Sequence, residues 1–194
     1  MENQTPETAM DWTAQVRHRL KQKRQLLFSR DSSCLQELFF LMHRQDRRAL
    51  VLWALALAQQ PVHALSQRYP DEQRPARAVE AARLWASGRW KMPQARRAIL
   101  DCHAFAREIT DPADIALCHA VGQACSVVHT PGHAPGFPIY ELTALVRRLG
   151  PESCREAVER RVWEYTDRLL YWQDHWRESG TQWADFLCRQ CPKT

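Results

Sequence analysis

The stretch IALCHAVGQACSVVHTPGHAPGFPIY, residues 115–140, contains no Asp, Glu, Lys or Arg. Because 25% of the whole chain is charged, this span is predicted to be the part furthest from water. Its first part is apolar on most sides and predicts a buried helix over residues 113–129. Three prolines and two glycines follow in HTPGHAPGFP, residues 129–138, and predict a rigid loop that carries two histidines.

One strip of the predicted central helix is less apolar than the rest. At helical spacing this strip holds Ile115, His119, Gly122, Gln123 and Ser126. Glycine inside a helix costs about 1 kcal/mol relative to alanine. Close approach of another backbone would explain why the cost is tolerated at Gly122.

Helical patterns extend from this centre in both directions. On the N-terminal side, apolar residues recur at helical spacing over residues 75–88 and 93–109. Short connections rich in Gly, Pro and Asp predict that these two helices and the central one pack as antiparallel neighbours. On the C-terminal side, helices are predicted over residues 139–149 and 152–178, the second with a stripe of Tyr, Leu and Trp that suits a core or an interface.

Composition supports the same fold class. The chain has only 6 glycines, few β-branched residues and abundant Ala and Leu, and no strand pattern of period two persists. We predict an all-α protein, either a multi-helix bundle or a short solenoid-like array of antiparallel helices, with no sheet. A length of 194 residues fits a single domain. Its parts are basic N-terminal helices (1–45), a core (46–149) and Trp-rich C-terminal helices (150–194).

The most apolar run is ALVLWALALA, residues 49–58, which predicts a core helix that Asp46 caps and Pro61 interrupts or kinks. Ten residues cannot cross a hydrocarbon layer that needs about 20. The N-terminus lacks the basic and apolar regions of a secretory signal. Seven scattered cysteines are typical of reduced thiols in a cytosolic protein. We therefore expect a cytoplasmic protein with no membrane partner.

The first predicted helix, over residues 9–28, is basic. Six Lys and Arg residues and no acid occur between positions 12 and 30. This pattern fits a solvated face or a contact surface for an acidic partner. The candidate contact residues on it are Arg17, Arg19, Lys21 and Lys23.

Histidine and cysteine are concentrated around the central span. The cluster comprises His103, His119, His129, His133, Cys102, Cys118 and Cys125. Satisfied core histidines with inert thiols are its plainest interpretation, and a polar pocket for a ligand or partner group, with His129 and His133, is a second. A zinc site is a third, and its candidate ligands are His119, Cys125, His129 and His133. The compact ligand spacings of structural zinc sites are missing, so we predict no metal and no cofactor.

No catalytic set emerges from the other motifs. Cys125 with His129 one turn later lacks an orienting carboxylate, and Ser126 is no better placed as a nucleophile. Cys188-x-x-Cys191 is unaccompanied by a second such pair. Glu152, Glu156 and Glu159 interleave with arginines, as exposed helical ion pairs do. Phosphate-binding glycine motifs are absent.

Several ordered blocks within residues 46–149 resemble a known family. They are RRALVLWALALAQQ, RPARAVEAARLWASG from Arg74 to Gly88, the Ala-rich helix with His103, HAVGQA from His119, and HTPGHAPG from His129. The chain resembles the putative immunity protein family of bacterial toxin systems. The resemblance implies an all-α, non-enzymatic cytoplasmic protein that binds and neutralises a cognate toxin.

The chain has a formal net charge of +5, which favours a toxin whose contact face is acidic or neutral. Two other classes of function remain open at this point. One is a metal-dependent enzyme or sensor built around the histidine and cysteine cluster. The other is a nucleic-acid-binding protein that uses the basic first helix. Acids are at least as frequent as arginines among the C-terminal aromatics, which disfavours stacking on bases.

Overall fold

The computed structural model describes residues 11–188, and within this range the chain is built from helices and turns, with no β-strand. This confirms the predicted all-α class. The α-helices are α1 (Trp12–Lys21), α2 (Gln36–His43), α3 (Arg47–Leu57), α4 (Gln59–Arg68), α5 (Arg74–Ala86), α6 (Met92–Phe105), α7 (Pro112–Ser126), α8 (Gly136–Leu149), α9 (Arg155–His175) and α10 (Asp185–Cys188). Single 3-10 turns occupy residues 33–35, 131–133 and 176–178.

Helix α7 lies at the centre and packs against α3, α4, α5, α6 and α8. Its Ala, Gly and Cys side chains are small enough to admit neighbours on most sides, and Cys118, Val121 and Cys125 are completely buried. The Asp111 carboxylate caps the helix by accepting hydrogen bonds from the Ala113 and Asp114 amides. The prediction of a buried centre is confirmed for α7, but residues 129–132 of the following loop are exposed.

Helices α5 and α6 match the predicted pair, although α6 ends at Phe105, before the predicted boundary at residue 109. Consecutive helices α5, α6 and α7 pack against one another. Pro75, Pro93 and Pro112 all lie in a first helical turn, where the missing amide hydrogen breaks no helical bond.

Helices α3 and α4 follow each other with a break at Ala58. The sequence predicted that Pro61 interrupts or kinks this helix, and the break lies three residues before it. Pro61 lies in the first turn of α4, where no amide is required, and Val62 still donates to the Ala58 carbonyl at 3.1 Å. By length and composition alone Arg47–Arg68 would suit a membrane span, but 56% of its apolar window is buried inside the fold, as in a core helix.

The first helix is shorter than predicted, because α1 ends at Lys21 rather than residue 28. Lys23 adopts a positive φ of 54°, which stops the helix. Leu27 is then fully buried in an irregular segment, and its amide donates to the Thr143 hydroxyl of α8 at 3.1 Å. A partner 116 residues away thus replaces the local helical bond.

Helix α9 carries the predicted apolar stripe against the core, with Tyr165 and Leu169 fully buried. A buried ion pair joins it to α8: the Arg161 guanidinium donates to both Glu141 carboxylate oxygens at 2.7–3.1 Å. The Tyr165 hydroxyl donates to the same carboxylate. These bonds satisfy charged groups that would otherwise be costly to bury.

Candidate functional site

Polar side chains gather where the less apolar strip of α7 faces its neighbours. His119, Gln123 and Ser126 of α7 are each half-buried. His103 from α6 and His133 from the loop after α7 face them. We call these five residues the histidine strip. The structure thus brings together three of the predicted cluster histidines.

Two of these histidines are in direct contact. The His103 Nδ1 and His119 Nδ1 atoms are 2.9 Å apart, and the ring of His119 also packs against Tyr140 with centroids 5.2 Å apart. A hydrogen bond at this distance requires one Nδ1 to carry the proton and the other to accept it. In the neutral pair, one ring therefore presents an Nε2–H donor and the other an Nε2 acceptor.

The environment favours these neutral forms. Burial lowers the pKa of His103 to about 4, and the nearby His119 and Arg107 act in the same direction. Burial also lowers the pKa of His119, with Arg107 contributing. For His133, burial is again the main cause of a lowered pKa, followed by His129 and Arg30. At neutral pH the strip therefore consists of uncharged hydrogen-bonding groups.

Two glycines make room for this arrangement. A Cβ atom on Gly122 would collide with the His103 imidazole, and one on Gly136 would collide with the Gln123 amide. The Gln123 Oε1 atom in turn lies 3.1 Å from His133 Nδ1. The expectation that a backbone approaches Gly122 was wrong, because the approaching group is a side chain. The glycine in α7 is tolerated because it seats a histidine ring.

An open cleft of about 300 Å³ adjoins the histidine strip. One face of α6 forms a wall, since its lining residues recur at helical spacing. The opposite wall belongs to the end of α7 and the loop that follows, and Trp85 of α5 also lines the cleft. The lining residues are Trp85, Met92, Arg96, Ile99, Leu100, His103, Ser126, His129 and His133. We call this feature the histidine cleft.

Apolar groups are unusually accessible here. Met92 is 43% exposed and Leu100 50% exposed, although both are large hydrophobic residues. The exposed His129 ring stacks on Trp85, with centroids 6.0 Å apart and an interplanar angle of 24°. The histidine cleft therefore combines an apolar surface with nearby hydrogen-bonding groups, a combination typical of binding sites.

Arginines hold the loop that forms one side of the cleft. Arg47 of α3 donates to the Val128 and His129 carbonyls at 2.8 and 2.6 Å. Arg30 donates to the Gly132 carbonyl at 3.0 Å. These bonds satisfy backbone acceptors and fix the position of His129 and His133 relative to the helices.

The structure does not support the proposed metal ligands or nucleophile. Among residues 11–188 no group of three His, Cys, Asp or Glu side chains could hold a metal ion. Cys125 is completely buried, and burial raises the pKa of its thiol to about 12. It is therefore a protonated core residue, unavailable as a thiolate. Cys191 of the predicted C-terminal pair lies outside the described residues.

The basic residues of α1 lie apart from the lining of the histidine cleft. Arg17 is committed locally, since it donates to the Thr13 hydroxyl at 3.2 Å and lies 3.5 Å from a Glu152 carboxylate oxygen. Arg19 is half-buried, whereas Lys21 and Lys23 are exposed. These four residues therefore form a cationic surface, part of it exposed, with no cleft among them that matches the histidine cleft.

Sequence reasoning missed the α6 side of the cleft. Met92, Arg96 and Leu100 lie outside the apolar stripe that identified this helix. The available signal was the presence of two large apolar residues on its otherwise polar outer face. That signal indicates exposure but does not reveal that a loop lies opposite.

Comparison with known proteins bears on the class of the molecule. Residues 41–168 match a family of immunity proteins, which agrees with the resemblance in the sequence. The family is described as "Imm-5 like putative immunity protein", and the chain belongs to it. No curated protein and no solved structure matches the chain.

The match has boundaries that separate the two candidate surfaces. It includes the core predicted from residues 46–149 and extends further into α9, as far as Arg168. Every residue that lines the histidine cleft lies inside the matched range. Helix α1 and its basic residues lie outside it.

Proposed function

We propose that the protein is a non-enzymatic, cytoplasmic helical protein that binds a bacterial toxin and neutralises it. The observation that carries the proposal is membership of an immunity protein family over residues 41–168. An immunity protein acts by recognition, so its function requires a surface complementary to the toxin and no reacting group of its own.

The exterior offers groups suited to recognition. Large apolar side chains remain accessible at several helical positions, including Leu100 and Trp163. Arginine supplies 23 of the 27 basic residues and is, with the aromatics, among the residue types that dominate binding energy at protein interfaces. These features support binding to a protein surface.

Co-expression tests the proposal directly. Toxin-like proteins encoded beside the gene for this chain would be produced in bacterial cells with and without it. We expect one toxin to arrest growth, the chain to restore growth, and the two purified proteins to form a complex on gel filtration. Growth arrest that the chain leaves unchanged for every such toxin would contradict the proposal.

Two measurements on the purified chain distinguish the other classes. A metal-dependent enzyme or sensor predicts stoichiometric zinc that is lost in a His129→Ala variant, whereas a toxin-binding protein keeps its helicity and activity after chelation. A nucleic-acid-binding protein predicts retention of DNA or RNA at low salt with a steep loss as salt rises. We expect neither zinc nor salt-dependent retention.

A further inference from the structure

We infer that the histidine cleft is the toxin-binding site and that its occupant is an acidic segment of the toxin, which inserts an apolar side chain flanked by a carboxylate. This inference rests on the proposed function and names the surface and the partner chemistry. The cleft is bounded by α6 on one side and by the end of α7 with residues 129–133 on the other.

The apolar part of the occupant follows from the α6 wall. Met92, Ile99 and Leu100 line the cleft together with Trp85, and two of these side chains are about half exposed. Covering accessible apolar area on binding is favourable in proportion to the area removed from water. A volume of about 300 Å³ is at the small end of ligand pockets, which suits a few side chains better than a large cofactor.

The acidic part of the occupant follows from charge complementarity. The residues lining the cleft include Arg96 but no Asp or Glu. Two further arginines act on histidines that line the cleft. After the larger effect of burial, Arg107 contributes to the lowered pKa of His103 and Arg30 to that of His133. A carboxylate entering the cleft meets positive potential, whereas a Lys or Arg would meet repulsion.

The hydrogen-bonding groups suit the same occupant. His103, His129 and His133 line the cleft, and their imidazole rings add polar atoms to its walls. Arg96 adds a guanidinium at the wall, and guanidinium groups bind carboxylates through paired hydrogen bonds. Arg47 already holds the loop after α7 through hydrogen bonds to the Val128 and His129 carbonyls. The loop therefore loses little conformational entropy when the partner binds.

The position of the cleft in the chain supports the assignment. The family description names an immunity protein, and the whole cleft lies in the part of the chain that matches the family. Gly122 makes room for the His103 ring and Gly136 for the Gln123 amide. The side chains beside the cleft are therefore held in place before any partner binds.

The experiment uses full-length protein and the toxin from which the unmodified chain protects cells. Leu100→Asp places a charge on the apolar wall, and Leu170→Asp is its matched control on exposed α9. Arg96→Glu reverses the cleft charge, and Arg168→Glu is the corresponding control on α9. All four positions are exposed, so we expect the variants to keep their helicity, and circular dichroism checks this.

We expect Leu100→Asp to weaken toxin binding by at least about 30-fold, as loss of a central apolar contact does. Arg96→Glu should weaken binding about 10-fold, and replacement of the contacting toxin carboxylate by lysine should restore it. Both α9 controls should bind like the unmodified chain. If Leu100→Asp and Arg96→Glu both bind the toxin as tightly as the unmodified chain does, the inference is overturned. If the unmodified chain binds no toxin, the proposed function itself is overturned.

Discussion

The basic surface of α1 and the histidine cleft are both candidates for binding an acidic partner, but they are built differently. On α1 and the turn after it, Lys21 and Lys23 are exposed, and Arg17 contacts Thr13 and Glu152. In the cleft, side chains with little net charge are held by packing, by arginine bonds to the loop and by two glycines. A run of charged residues in the sequence indicates a surface that attracts a partner of opposite charge. A helix without charged residues indicates a packed region, and such a region can hold a binding site in a fixed geometry.

The two regions should differ most in how strongly neighbouring residues depend on each other for stability. Gly122→Ala is expected to destabilise the protein by about 1–3 kcal/mol, because the new methyl group displaces the His103 ring. In a His103→Ala background the same change should stabilise α7 by up to about 1 kcal/mol through helix propensity. Urea unfolding of the two single variants and the double variant measures the coupling, expected at about 2–3 kcal/mol.

The matched control is a double-mutant cycle in which Arg17 of α1 and its partner Glu152 are replaced by alanine, singly and together. These residues lie 3.5 Å apart at an exposed site, so their coupling should be below about 0.5 kcal/mol. Equal couplings in the two cycles would show that the histidine strip is no better defined than a surface ion pair.

The next largest effect should be a loss of folding stability on acidification, caused by His103 of the histidine strip. Because burial lowers the pKa of His103 to about 4 from 6.5, the unfolded chain binds a proton in this interval that the folded chain does not. The free energy of unfolding should therefore fall as pH drops below 6.5, by about 1–2 kcal/mol between pH 7 and pH 5 from this residue. Denaturant unfolding at the two pH values measures it.

The contribution of His103 is isolated by comparing variants. His103→Gln should show a smaller loss of stability between pH 7 and pH 5 than the unmodified chain. His18→Gln, at an exposed position of α1, should show the full loss. Identical pH dependence in all three proteins would mean that burial does not hold His103 neutral.

The smallest expected effect concerns α1 itself. Changing Arg17, Arg19, Lys21 and Lys23 to Glu should slow association with an acidic toxin several-fold at low salt, because steering depends on long-range charge. At 0.5 M salt, where the Debye length is on the order of 4 Å, the difference should disappear. Stopped-flow measurements at both salt concentrations test this, and an unchanged rate at low salt would remove α1 from the account.

The sequence predicted the central helix well but not the segments that depend on distant partners. Residues 115–126 lack charge because they are enclosed by five helices, and that requirement is visible in the sequence. The end of α1 was not visible, because Leu27 continues the helical spacing of Val16 and Leu20. Its amide instead bonds to Thr143, a partner that only the folded chain supplies.

The candidate site was likewise predicted in part. His103, His119, His129 and His133 were identified as a cluster, and the structure places them around one strip and its cleft. Their chemistry was not readable, because the choice between ligands and neutral hydrogen-bonding groups depends on burial and on how the rings pair. The exposed wall of α6 was missed for the same reason: exposure becomes a cleft only when another element faces it.

Methionine methyl NMR offers the most direct test that the histidine cleft binds the toxin. Met92 lines the cleft and is 43% exposed, whereas Met42 of α2 is buried and lies outside the cleft lining. In a saturated complex with the toxin that the chain neutralises, the Met92 methyl resonance should shift and broaden while that of Met42 stays in place. A Met92 resonance unchanged in the saturated complex would contradict the assignment of the cleft as the binding site.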